Sequence, residues 1–152
     1  MSKHVKYDKS SWLGRSKVEE KPWGHEVCWN ALPSIHGKVL YIKKGHRTSF
    51  KYHERKDEVL FVLEGKLKVT YADEEWLHYT NTSVRHDVLS AGESFTAQAS
   101  CPYRIEALDD SKVIEIGNNS SSPTVRIQDD YGRETEGKEA LSSRLSSKIE
   151  EV

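Results

Sequence analysis

The 152 residues carry 36% hydrophobic and 31% charged side chains, with 23 Lys plus Arg against 24 Asp plus Glu and a formal net charge of -1. A chain of this length buries a core as one domain without metal or disulfide staples. The near-neutral balance, with no basic block, argues against nucleic-acid binding, and the lack of a long apolar run argues against a membrane span.

Residues 1–20 are broken by Ser, Gly and charges and are expected to form a polar N-terminal arm. The first 13 residues hold lysines but no apolar stretch, so no secretory signal is expected. Residues 21–117 contain about ten short β-like runs separated by turn residues, at 26–29, 38–43, 48–52, 58–63, 66–71, 76–79, 87–89, 94–98, 103–107 and 112–116. No helical period interrupts them, which excludes parallel βαβ units and points to an all-β sandwich or barrel. Residues 118–152 open with Asn118, Asn119, Ser120, Ser121, Ser122 and Pro123, a linker signal. A final strand and turn are expected over 125–133. Leu141, Leu145 and Ile149 then mark a C-terminal amphipathic helix, docked on its own barrel or paired across a dimer. Cys28 and Cys101 lack metal or redox spacing, so two free thiols in a reducing cytoplasm are expected.

Alternation along 48–53 puts Ser49, Lys51 and His53 on one face. After a short turn Glu58 begins the next strand with Leu60 and Val62 on its side, so a hairpin brings His53 and Glu58 together. Gly45, His53, Glu58 and Gly65 match the spacing of the first motif of the cupin superfamily, and 92–107 matches the region of the second. Over 21–117 the chain therefore resembles the cupins. The resemblance implies an all-β cupin double-stranded β-helix, a jelly-roll barrel, with the arm and helix appended, and a homodimer.

A narrower resemblance is to the mannose-6-phosphate isomerase type II cupins. It rests on Lys21-Pro22-Trp23-Gly24, on Gly45-His46-Arg47-Thr48-Ser49 and on Tyr103-Arg104-Ile105-Glu106. It implies a protein acting on or binding a sugar or sugar phosphate, with isomerase- or epimerase-like chemistry. The alternatives are a non-catalytic ligand-binding cupin and a metal-dependent dioxygenase-like cupin. The family's metal is usually held by two His, a Glu and a third His. Here Lys51 and Tyr103 occupy two of those positions, which leaves His53 and Glu58 as the ligands of any metal. Two ligands are too few for a tight site. No cofactor is therefore expected, with a weakly held divalent metal as the alternative.

Lys51, His53, Glu58 and Tyr103 are thus the candidate catalytic cluster, with Lys51 expected within salt-bridge reach of Glu58. His53 or Glu58 would serve as base and Tyr103 or Lys51 as acid, and a purely structural ion-pair network stands equally open. The isomerase pattern nominates Arg47, Arg104 and Trp23 as substrate-binding. Arg104 lies opposite Tyr103 by strand parity, which favours an outward charge, and Trp23 suits core or dimer packing. His4, His25, His36, His46, His78 and His86 read as surface or loop residues.

Overall fold

Among the described residues, short runs of β-branched and aromatic residues between turns give eleven strands and one single-turn 3-10 helix. The computed structural model describes residues 5–79, 81–133, 148 and 152. The strands are β1 (Lys17–Lys21), β2 (Gly24–Leu32), β3 (Ile35–Ile42), β4 (Phe50–His53), β5 (Glu58–Glu64), β6 (Lys66–Tyr71), β7 (Arg85–Ser90), β8 (Ser94–Ala97), β9 (Tyr103–Ala107), β10 (Ser111–Gly117) and β11 (Thr124–Gln128). They form a six-stranded sheet ordered β1-β2-β3-β10-β5-β8 and a five-stranded sheet ordered β11-β4-β9-β6-β7. Neighbours in both sheets run antiparallel.

Alternation decides what faces inward. In β5, Glu58, Leu60 and Val62 are buried while Val59, Phe61 and Leu63 are exposed. Leu60, Val62, Leu67, Val69, Ile105 and Val113 meet in one core cluster between the sheets. In β4, Lys51 and His53 face the interior. Phe50 and Tyr52 take the opposite face and join Val125 and Ile127 in a second cluster. Both orientations agree with the alternation read from the sequence.

Two elements differ from the reading of the sequence. Residues 76–79, expected as a strand, belong to the 3-10 helix Glu74–Leu77 and the turn after it. Trp76 N–H donates to Asp73 O at 3.1 Å, and His78 N–H donates to Glu75 O at 2.9 Å. Consecutive Trp76 and Leu77 are both buried, which a strand would prevent by alternation. The Trp76 ring meets Phe50 edge-on at 5.4 Å and so caps the second cluster. The chain is extended and pairs with β2 from Lys17 onward, inside the stretch read as an arm. The final strand expected from residue 125 is present as β11, which pairs with β4 and is part of the sheet.

Lys148 reaches the same cap. Its Nζ donates to Trp76 O at 2.9 Å, to Tyr79 O and to Thr82 Oγ1 at 3.0 Å. The expected helix through Leu141, Leu145 and Ile149 lies outside the described residues. No described helix is long and apolar enough to cross a membrane.

Candidate functional site

The inner faces of the two sheets enclose a polar cavity of about 350 Å³. All four members of the candidate catalytic cluster line it: Lys51 and His53 from β4, Glu58 from β5 and Tyr103 from β9. β4 and β9 pair so that Lys51 lies directly opposite Tyr103.

Glu58 is the hub. Tyr103 Oη donates to Glu58 Oε1 at 2.8 Å, and His53 Nε2 lies 2.9 Å from the same oxygen. Thr124 Oγ1 stands 3.2 Å from His53 Nδ1. Burial lowers the His53 imidazole below its usual range against the pull of Glu58, so the ring is neutral near pH 7. Its Nε2–H then donates to Glu58, and Nδ1 accepts from Thr124. Burial alone would raise the Glu58 carboxyl. The His53 hydrogen bond and the Lys56 and Lys51 charges outweigh that and hold it well below the usual carboxylate range. Burial and the Glu58 charge push the Tyr103 phenol well above its usual value, so it stays a donor.

The cation against Glu58 is not the one expected. Lys56, in the turn before β5, places Nζ 3.3 Å from Glu58 Oε2, and no ion pair joins Lys51 to Glu58. Lys51 Nζ instead sits over the Tyr103 ring, 4.7 Å from its centroid. The strand carries Lys51 across the sheet toward Tyr103, whereas the turn lets Lys56 fold back over the carboxylate. Burial depresses the Lys51 ammonium to about 8, with Glu58 and Glu115 opposing the shift.

Glu115 completes the cluster. It follows the inward parity of Val113 on β10 and is buried. Its Oε2 lies 3.6 Å from Lys38 Nζ and 3.9 Å from Lys56 Nζ. Lys38 in turn lies 3.1 Å from Glu26 Oε2. Burial alone would lower the Lys38 ammonium, but Glu115 and Glu26 raise it above its usual value. Neither Glu58 Oε2 nor Glu115 Oε2 receives a hydrogen bond from a described N–H or O–H group. A proton on Glu115 supplies one, because its carboxyl is in hydrogen-bond contact with Glu58. Burial and then the Glu58 charge raise Glu115 from 4.5 to about 7, against Lys38 and Lys56.

A carboxyl that holds its proton more tightly when folded adds stability below 4.5, and that stability is lost as pH rises through about 7. His53 and His36, both lowered, act in the opposite sense, since their contribution is lost as pH falls below 6.5. The difference between Glu115→Gln and the native chain isolates the carboxyl. Urea unfolding across this range should show the variant gaining on the native protein as pH rises from 4.5 to 7. A flat difference would show that Glu115 titrates normally.

Two nominated arginines lie outside the cavity. Arg47 is held by Asp130, with its Nη2 at 2.8 Å from Asp130 Oδ1 and its Nε on Oδ2. Arg104 is 2% exposed, so the outward charge read from parity is corrected. Its Nε donates to Thr48 O at 2.8 Å and its Nη1 to Gln128 Oε1 at 2.7 Å, which ties β9 to the end of β11. Trp23 does line the cavity and is buried in the main core cluster. His36, read as a surface residue, is buried. Gly117 opposite it has no side chain, and a Cβ there would lie 2.6 Å from His36 Nε2. Lys56, Glu115, Lys38 and Glu26 were not identified from the sequence. The parity of the last three with Leu40, Val113 and Gly24 was a usable signal.

The metal implied by the resemblance does not suit this donor set. Glu58 Oε1 is taken by Tyr103 and His53, Oε2 faces an ammonium, and both nitrogens of His53 are engaged. Below about pH 8 Lys51 is protonated and has no lone pair to offer. A second donor group, Glu19, Glu26 and Cys28, has ligand atoms within 4.8 Å of one another. There Glu26 is already balanced by Lys21 and Lys38.

No protein-family model and no curated protein sequence matches the chain. Solved structures do. KdgF from Halomonas sp. aligns with a TM-score of 0.56 at 21% identity, over 68% of this chain and 86% of its own. A Bacillus subtilis oxalate decarboxylase with Mn(II) centres aligns with a TM-score of 0.61 at 14% identity, over 76% of this chain and 31% of its own. CapF, solved with the inhibitor 3-isopropenyl-tropolone, aligns with a TM-score of 0.55 at 18% identity, over 68% of this chain and 30% of its own. The chain thus spans less than a third of the last two proteins. At these identities the likeness is one of fold.

Proposed function

We infer that this chain, whose fold is that of the cupins, binds a small anionic sugar derivative such as a sugar phosphate inside the barrel and moves protons on it without a metal. The observation that carries this reading is Lys51. Its ammonium lines the cavity with no carboxylate in ion-pair range among the described residues, so it is the cation left for a ligand. The balance of the lining agrees, since six lysines and arginines stand against four glutamates among the described residues. One of those glutamates, Glu115, holds its proton up to about pH 7. Ser49, Ser122 and Thr124 add hydroxyls suited to a polyhydroxylated ligand.

Isomerisation and epimerisation of sugars transfer a proton at a carbon beside a carbonyl or hydroxyl. Glu115 is the group placed to give or take that proton near neutrality, and Glu58 is the hydrogen-bonded anion that accepts charge redistribution through Lys56. A non-catalytic binding cupin is the second reading. It is favoured by His53, whose two nitrogens are both occupied within the protein.

The test compares mannose 6-phosphate with mannose by thermal shift, and then looks for solvent deuterium in the bound sugar phosphate. The phosphate should stabilise the native chain, and Lys51→Met should weaken that binding by about tenfold or more, equivalent to 1.4 kcal/mol. Equal binding of the uncharged sugar would sink the reading. Binding without deuterium uptake would select the non-catalytic alternative.

A further inference from the structure

We propose that Lys51 is a covalent nucleophile, whose Nζ condenses with the carbonyl of a small anionic aldehyde or ketone to form a Schiff base. This rests on the anion-binding reading above and assigns the same residue a chemical step. Four lysines line the cavity. Lys21 lies 3.5 Å and Lys38 3.1 Å from Glu26, and Lys56 lies 3.3 Å from Glu58. Each of those ammoniums is paired with a carboxylate. Lys51 alone has no carboxylate within ion-pair range among the described residues, and its Nζ rests on the face of Tyr103. A lysine of this kind, half-buried in the cavity wall with no counter-ion in ion-pair range, is the type that yields an amine nucleophile. β4 also supplies rigidity, because Lys51 pairs with Tyr103 on one side and with Arg126 of β11 on the other.

The remaining parts of the step are in the cavity. The neutral amine attacks the carbonyl carbon, a C–N bond forms, and the π pair moves to the oxygen, which takes up a proton as the nitrogen loses one. The carbinolamine then expels its hydroxyl as water with a proton from a pocket acid, for which Glu115 is the placed donor. A C=N double bond results, no oxidant or reductant is needed, and water reverses the step. The iminium draws electrons from the neighbouring C–H bond and so makes the proton transfer of the proposed reaction easier.

The experiment uses the full chain with D-glyceraldehyde 3-phosphate and sodium cyanoborohydride, followed by intact mass and peptide mapping. The expected result is one adduct, with a mass gain of the probe less one oxygen, on the peptide that carries Lys51. Lys51→Arg keeps a cation without the nucleophile and should lose the adduct while the phosphate still shifts its unfolding temperature. Mapping on the native chain does not depend on that variant folding. Labelling spread over exposed Lys9 and Lys44 with none at Lys51 would overturn the proposal. Thermal stabilisation by the probe without label at Lys51 would overturn the Schiff base and leave anion binding standing. Neither shift nor label would overturn both.

Discussion

Lys56→Met should lower the unfolding free energy by about 3–5 kcal/mol, the usual loss when one partner of a buried ion pair is removed. The Lys56 side chain is 10% exposed and those of Glu58 and Glu115 are 2% and 7% exposed. Removing the ammonium leaves Glu58 ionised beside Glu115 with its nearest counter-charge gone. For a domain of this size the unfolding temperature should fall by roughly 10 °C. The penalty should grow as pH rises through about 7, where Glu115 loses its proton and a second negative charge is stranded. Lys51→Met is the contrast. Among the described residues no carboxylate lies in ion-pair range of Lys51, whose charge acts on Glu58 only from further away than that of Lys56, so it should cost far less. Thermal and urea unfolding of both variants decides the matter. If Lys51→Met unfolds as early as Lys56→Met, the counter-ion of Glu58 has been assigned to the wrong lysine.

Gly24→Ala should cost about 3 kcal/mol or more, by a different mechanism. Gly24 has φ +152°, and a Cβ built there would lie 1.8 Å from the Tyr41 carbonyl oxygen and 3.0 Å from its carbon. Both are backbone atoms of β3, directly beside the Gly24–Ile42 pair that starts the β2–β3 ladder. A flexible side chain would move aside, but a paired strand cannot without breaking its hydrogen bonds. Trp23 is tied to the same corner by the Lys43 N–H bond to Trp23 O at 3.0 Å, so the substitution also shifts a wall of the cavity. Gly92→Ala provides the reference. Gly92 has φ +91° with nothing within 4 Å of a Cβ, so only conformational strain of about 1–2 kcal/mol applies. Urea denaturation of the two variants should separate them clearly. Equal losses would mean that the close approach at Gly24 is not a constraint.

The barrel was legible in the sequence because a period of two residues is a strong signal over short runs. It placed His53 and Glu58 on the inside, the cupin resemblance added Tyr103, and the structure joins the three through Glu58. Turn residues carry no such parity, which is why Lys56 escaped notice. A long flexible side chain on a turn can reach back over a strand it does not belong to. Trp76 was misread because a short apolar run suits a strand as well as a helical turn. Arg47 finds its partner 83 positions away at Asp130, and nothing local to either residue announces that pairing. Glu115 sits inside the run Val113, Ile114, Glu115, Ile116, where the apolar neighbours masked a polar group whose parity pointed inward. His36 became buried through a glycine on another strand, which is a property of register alone.

The pairing of β11 with β4 means that the cavity is finished last. Lys51 and His53 emerge early during synthesis, yet their strand is flanked on one side by residues 124–128, more than seventy positions later. β10, which brings Glu115, likewise joins β3 and β5 only after both are made. Such non-local closures are slow, because chain entropy is spent before the contacts form. A ribosome-bound chain that ends before Thr124 therefore presents charged residues of an unfinished interior to water. Ligand binding then reports on completed folding and not merely on the presence of its residues.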